Sequence, residues 1–331
     1  MSLKAIAKQL GISVTTVSRA LNGYDDVSQE TRARVQAEAD RRGYRPNTLA
    51  RRLKMGKIDA VGLVFPVHPV PLNNSVFMEM VGEISRELAS HDIDLLLIAD
   101  DDLADKHSYL RMVQSRRVDA LIVAHTLDND ARLEQLQATG FPFLALGRSQ
   151  LTRPYAWFDF DNYAGTYRAT RYLIEKGHQR IAMLGENNNQ AFITQRRQGY
   201  LDALQESGLS DEWLRMLPPS RRAGYQAVEA LLALPEPPQA IITDCNTHGD
   251  GAAMALLKQG KLRGDDRVVL VVYDGLPDDS IVDVDVAAVV QATREAVGKQ
   301  IADMVLQLIA GEDLTQLQVL WQTEFRPGTT A

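Results

Sequence analysis

Leu-Lys-Ala-Ile-Ala-Lys-Gln-Leu-Gly-Ile-Ser-Val-Thr-Thr-Val-Ser-Arg-Ala-Leu-Asn, residues 3–22, reads as two short amphipathic helices joined by a glycine turn. Leu3, Ile6, Ala7 and Leu10 recur at i, i+3, i+4 and i+7, one apolar stripe along the first helix. Gly11 supplies the permissive backbone of a tight turn, and Ser13 is placed to cap the second helix. In that helix Val17, Ala20 and Leu21 turn toward the first stripe, which leaves Val14, Thr15, Ser18, Arg19 and Asn22 facing out. These outward residues suit a DNA major groove. Val and Thr methyls can meet a thymine methyl, while hydroxyls and Arg can bond base edges or phosphates.

A helical hairpin that merely meets water would share this pattern, but the following segment argues for a DNA-binding headpiece. Ser28 can cap a third helix with Glu30 in its first turn, Val35 and Ala39 lie on one face, and Arg41-Arg42-Gly43 closes it with cations and a glycine. Residues 1–57 carry 12 Lys and Arg against five Asp and Glu, a local charge of +7. The whole chain is −7, so the remaining 274 residues carry −14. Local charge is what meets phosphates, whatever the balance of the whole chain. Residues 45–57 hold five of the 12 cations, a Pro46-Asn47 helix-start signal, and Leu49, Ala50 and Leu53 at helical spacing. They read either as a basic tether or as a hinge that becomes helical on DNA, with Leu53 wedged into a minor-groove step. The expected organisation is a headpiece over 1–44, a hinge over 45–57 and a body over 58–331.

In the body, apolar strands alternate with amphipathic helices, the pattern of parallel sheets covered on both faces. Strands are predicted at 60–65, 94–99, 120–124 and 143–146, with helices near 76–90, 105–116 and 129–139. A second series has strands at 180–185, 240–243 and 268–273, with helices near 162–176, 191–207, 223–233 and 248–259. Two α/β lobes follow. The helix near 293–311 and the strand near 318–325 are expected to cross back between them. Ligands of such sheets sit beyond the strand C-termini, which selects Arg196, Asp274 and the Asp161-Asn162 pair that follows an aromatic strand at 155–160. A cation and carboxylates converging there can bond several hydroxyls of a sugar, with Phe77, Trp157 and Phe158 as an aromatic wall.

Other chemistry is missing from the sequence. No phosphate-binding glycine loop follows the first strand, no Gly-x-Ser-x-Gly elbow occurs, and the six histidines show no ligand spacing. A single cysteine, Cys245, excludes an internal disulfide and a cysteine-cluster metal site. Asp100-Asp101-Asp102 reads as a solvated acidic loop. No catalytic residue, metal or cofactor is expected. No stretch approaches a membrane span, and the polar start lacks the apolar core of a signal peptide, so a cytoplasmic location is expected.

Val17-Ser18-Arg19-Ala20-Leu21-Asn22, the Tyr44-Arg45-Pro46-Asn47 and Ala50-Arg51-Arg52-Leu53 segments, and the two-lobed body resemble the lactose-repressor and galactose-repressor family of bacterial transcription regulators over essentially the whole chain. The resemblance implies a homodimer or larger assembly on a near-palindromic operator and a body folded like periplasmic sugar-binding proteins, controlled by a small sugar. By position it implies base reading by Val14, Thr15 and Ser18, phosphate and base contacts from Ser13, Arg19 and Asn22, and minor-groove insertion of Leu53. In the body it matches Arg196, Asp274, Phe77 and Asp161 to effector contacts. Departures occur at Cys245-Asn246, where the family has Asn-Asp, at Pro219, where it places an aromatic residue, and at residues 283–287. Residues 141–148 look most like members that control use of α-galactosides or α-glucosides. A transported sugar-binding protein would need export, and an enzyme with an appended headpiece would need a catalytic constellation.

Overall fold

The computed structural model describes residues 2–21, 24–44, 58–67, 75–101 and 107–330. The chain divides into two compact units, Met1–Ile58 and Asp59–Ala331. Asn22 and the segment 45–57, with Leu53, lie outside the described residues.

In the first unit, α1 (Leu3–Leu10), α2 (Val14–Leu21) and α3 (Gln29–Arg41) enclose a small core of Ile6, Ala7, Val17, Ala20, Val27, Val35 and Ala39. Gly11 adopts φ +67° and returns its N–H to the Ala7 carbonyl, ending α1 in the left-handed conformation that glycine permits. Ser13 caps α2 by accepting the Thr16 N–H at 2.9 Å, and Ser28 caps α3 through the Thr31 N–H. The helix ends are therefore set by the residues that the sequence marks for them.

The second unit contains two six-stranded sheets. The first lobe orders its strands β11-β5-β4-β3-β1-β2, with β1 (Ala60–Pro66), β2 (Asp94–Asp100), β3 (Ala120–Val123), β4 (Phe143–Leu146), β5 (Ala156–Phe160) and β11 (Gln318–Trp321), all parallel. The second orders β12-β10-β9-β8-β6-β7, with β6 (Ile181–Glu186), β7 (Leu214–Leu217), β8 (Ala240–Thr243), β9 (Val269–Tyr273), β10 (Ala287–Val290) and β12 (Glu324–Arg326), where only the β10–β12 pair is antiparallel. The helices of the first lobe are α4 (Ser75–Ala89), α5 (Ser108–Gln114), α6 (Ala131–Thr139) and α11 (Arg294–Ala310). Those of the second are α7 (Asn162–Glu175), α8 (Ala191–Glu206), α9 (Arg221–Leu232) and α10 (Asn246–Lys258).

The chain changes lobes after β5, between β10 and α11, and between β11 and β12. The single strand expected near 318–325 is thus two strands, one in each lobe, broken at Gln322-Thr323. β7 and β10 escape the sequence pattern: β7 is a half-exposed strand at a sheet edge, and β10 follows the Asp283–Ala287 run. Close packing of α7 on α8 depends on Gly199, where a Cβ would stand 2.3 Å from the Tyr163 carbonyl oxygen.

Two expectations fail on burial. Phe158 belongs to the first-lobe core, edge-on to Phe160 and Trp321, so it cannot line a cleft. Asp100 is buried, not solvated, and accepts the Ser108 N–H and a ring-nitrogen contact from His107 at the start of α5. Asp101 is the exposed member of that run, and Asp102 lies outside the described residues.

Candidate functional site

On the headpiece, Val14, Thr15 and Arg19 of α2 are exposed and Ser18 is half-buried. The Ser13 hydroxyl is engaged in the cap and pairs with Thr16 Oγ1 at 2.8 Å. Arg19 is held by Asp26 through two contacts of 3.0 and 2.5 Å and lies over the Tyr24 ring. Such an exposed pair contributes at most about 1 kcal/mol, so a phosphate could displace Asp26 at small cost.

The body places its polar side chains where three strands end. Arg196 is buried on the second turn of α8, its Nε donates to Asn162 Oδ1 at 2.9 Å, and its Nη1 donates to the Asp244 carbonyl. Its guanidinium stacks 3.4 Å from the Tyr273 ring centroid and 4.8 Å from that of Phe192. Asn162 is the keystone. Its Oδ1 also accepts the Tyr273 hydroxyl, and its Nδ2 donates to Asp159 Oδ1 and the Phe160 carbonyl. Asp159 in turn holds Arg148, which reaches across to Gln195 of α8. One hydrogen-bonded network therefore joins the two lobes.

An aromatic line runs beside it: Phe77 lies 4.8 Å from His125, and His125 lies 6.4 Å from Phe192 beneath Arg196. His125 has a left-handed backbone (φ +53°), and its Nδ1 pairs with Gln190 Oε1 of the other lobe at 3.0 Å. The Thr126 carbonyl accepts the Ala191 N–H at 2.8 Å nearby. Two buried atoms at this junction have no hydrogen-bond partner, His125 Nε2 and Asp274 Oδ1. With Nδ1–H donated to Gln190, His125 Nε2 is an acceptor, as is the carboxylate of Asp274. A ligand that satisfies both must donate, which is what hydroxyl groups do.

Burial raises the Asp274 carboxyl above the usual carboxylate range, while Arg196 and Arg294 pull it back. Burial also depresses His125 to about 4, with Gln190 opposing and Arg132 assisting. A histidine kept neutral in the fold adds stability above its unfolded value of about 6.5 that is lost as pH falls through about 4. His125→Gln is expected to flatten the acid side of the unfolding-midpoint profile between those values. An unchanged profile would refute the assignment of that limb to His125.

Of the residues selected from sequence, Arg196, Asp274 and Phe77 lie along this junction. Asp161 does not join Arg196: it caps α7 through the Ala164 N–H and accepts from Gln322, and its neighbour Asn162 makes the contact. Trp157 is half-buried beneath Arg148. Cys245 is buried and caps α10, its Sγ accepting the His248 N–H. Sequence spacing missed His125 and Gln190, while Asn162 was selected only as half of the Asp161-Asn162 pair; the position of His125 just beyond β3 could have signalled it.

A helix-turn-helix headpiece on a two-lobed body with a polar junction between its sheets defines the class of ligand-responsive DNA-binding regulators. Residues 58–325 match the family model of periplasmic binding proteins and the sugar binding domain of the LacI family, and residues 2–47 match that of bacterial regulatory proteins of the lacI family. The chain belongs to the LacI family, a family of transcription regulators and not of enzymes. It is 63% identical over 330 residues to the HTH-type transcriptional regulator RafR of Escherichia coli, covering 100% of this chain and 98% of that one. It is 34% identical to the HTH-type transcriptional regulator AglR of Rhizobium meliloti (strain 1021), over 98% of this chain and 92% of the relative. The solved structure of a putative transcriptional regulator from Yersinia pestis biovar Microtus superposes with a TM-score of 0.79 at 51% identity, covering 83% of this chain and 98% of that one. No helix among the described residues is long and apolar enough to cross a membrane.

Proposed function

We propose that this protein is a homodimeric repressor of a carbohydrate-use operon, released from its near-palindromic operator by a small neutral sugar, an α-galactoside or α-glucoside. Val14, Thr15 and Ser18 read bases, Ser13, Arg19 and Asn22 contact phosphates and bases, and Leu53 enters the minor groove. In the body, Arg196 and Asp274 grip the sugar, with Phe77 against one face of it and Cys245 and Asp161 at the margin. The observation that carries the sugar reading is the pair of unpartnered buried acceptors, His125 Nε2 and Asp274 Oδ1, flanking a guanidinium already shared between a carbonyl and an amide. An anionic ligand would meet Asp274 unfavourably; a polyol donates to both acceptors.

Support for the dimer comes from exposed apolar side chains. Leu96 and Leu97 on edge strand β2 are 38% and 49% exposed, and Ile281 is 83% exposed. Strands of parallel sheets are ordinarily covered on both faces, and an open apolar edge invites a partner. Sugar binding favours one arrangement of the lobes over another, and the operator favours the opposite one, so each ligand weakens the other.

The test is fluorescence anisotropy of a labelled operator fragment with melibiose, raffinose, maltose, a hexuronate and a purine added in turn. Release by an α-galactoside or α-glucoside alone is the expected result. Release by the hexuronate or purine alone would overturn the sugar assignment.

A further inference from the structure

Beside the Arg196 network, and joined to it through the Asp244 carbonyl, lies a second cluster whose ligand-type side chains have chemistry beyond sugar binding. Asp244, Cys245 and His248 occupy the turn from β8 into α10, all three are buried, and one ligand-type atom from each lies within 4.8 Å of the others. Their spacing of i, i+1 and i+4 brings the three donors together at the N-terminal end of one helix.

The hydrogen bonds around His248 fix its role. Its Nε2 lies 2.9 Å from the Pro218 carbonyl, so that nitrogen carries a proton. Its Nδ1 then faces Asp244 Oδ1 at 3.3 Å. A neutral ring would set a lone pair against a carboxylate there, so a cation must stand between them, a proton or a metal ion. Metal-ligating histidines commonly donate their other N–H to a carbonyl, as His248 does. The second oxygen of Asp244 is likewise anchored, by the Glu186 N–H at 2.6 Å. The separation of 3.3 Å is the edge expected of a tetrahedral site with bonds of about 2.0 Å. Glu186, whose N–H anchors Asp244, stands beside the three donors. Its carboxyl is raised by burial and by the nearby Asp244 charge, and Asn188 holds its Oε2 at 2.6 Å.

We propose that Asp244, Cys245 and His248 form a three-ligand binding site for a divalent transition-metal ion of borderline softness, Zn(II) being the natural occupant. The mixed oxygen, nitrogen and sulfur set excludes Mg(II) and Ca(II), which take oxygen ligands. On binding, the Cys245 thiol gives up its proton to form a metal–thiolate bond, and any proton on His248 Nδ1 leaves as well. Affinity therefore rises with pH. Because the Asp244 carbonyl also holds Arg196, the metal would fix the turn against which the guanidinium is braced.

The test is titration of tag-free, full-length, chelator-stripped protein with Co(II). Cys245 is the chain's only cysteine, so a thiolate-to-cobalt charge-transfer band can arise nowhere else. The expected result is a near-ultraviolet band that saturates at one equivalent per chain, is displaced by Zn(II), and is at least tenfold harder to saturate in His248→Gln. Absence of the band in the wild-type protein would overturn the proposal and leave a protonated His248 as the cation. A band of unchanged affinity in His248→Gln would also overturn it.

Discussion

Arg196→Ala is expected to weaken sugar binding by about 1.5–3 kcal/mol, or roughly 10- to 150-fold, the range for hydrogen bonds made by a charged group. The guanidinium is buried, oriented by Asn162 and the Asp244 carbonyl, and flattened on Tyr273, so its geometry is fixed before a ligand arrives. Its loss also removes the stronger of the two positive charges that act on Asp274, which raises that carboxyl further and erodes its strength as an acceptor. Operator affinity without sugar should stay within error, because the DNA-binding helices fold as a separate unit with their own core. Arg196→Lys keeps the charge but not the planar fork or its stacking, so it should recover only part of the loss. Calorimetric titration of the activating sugar reads the first effect, and anisotropy of labelled operator reads the second. Wild-type sugar affinity in Arg196→Ala would remove Arg196 from the site.

The headpiece was legible in sequence because local rules decide it. The stripe of Leu3, Ile6, Ala7 and Leu10, the turn at Gly11 and the caps at Ser13 and Ser28 each act within a few residues, and the structure keeps all of them. The lobes were legible for a related reason: buried parallel strands such as 120–123 and 269–272 are continuous apolar runs. Legibility failed where long-range packing chooses between neighbours. Asp161 and Asn162 are adjacent polar residues after one strand, and nothing local distinguishes the helix cap from the ligand of Arg196, which lies 34 residues away. Phe158 and Trp157 alternate across β5, and only the sheet's placement decides which is core. His125 is likewise silent, since its partner Gln190 is 65 residues distant and in the other lobe.

Asp130→Ala is expected to cost about 3–5 kcal/mol of stability, the usual loss when one member of a buried ion pair is removed. Asp130 and Arg132 are both buried, joined by contacts of 2.9 and 2.6 Å. Asp130 also accepts the N–H groups of Leu127 and Arg132, capping α6 and tying the loop before it. Arg132 in turn donates through Nη2 to the carbonyls of Ala124 and His125. The pair thus braces the loop that holds His125 in its left-handed conformation and presents the Thr126 carbonyl to the second lobe. Without Asp130, a guanidinium stays buried beside carbonyls that only partly compensate it. Asp130→Asn retains the cap but not the charge and should cost less. The double replacement Asp130→Leu with Arg132→Met should be milder than the sum of the single changes, because it leaves no unpaired charge behind. Urea unfolding of the wild type, Asp130→Leu, Arg132→Met and the double variant measures the coupling, and purely additive losses would show that the pair contributes no more than its separate hydrogen bonds. Sugar affinity should fall with stability in Asp130→Ala, since the bracing that holds the loop also fixes the unpartnered His125 Nε2 at the junction.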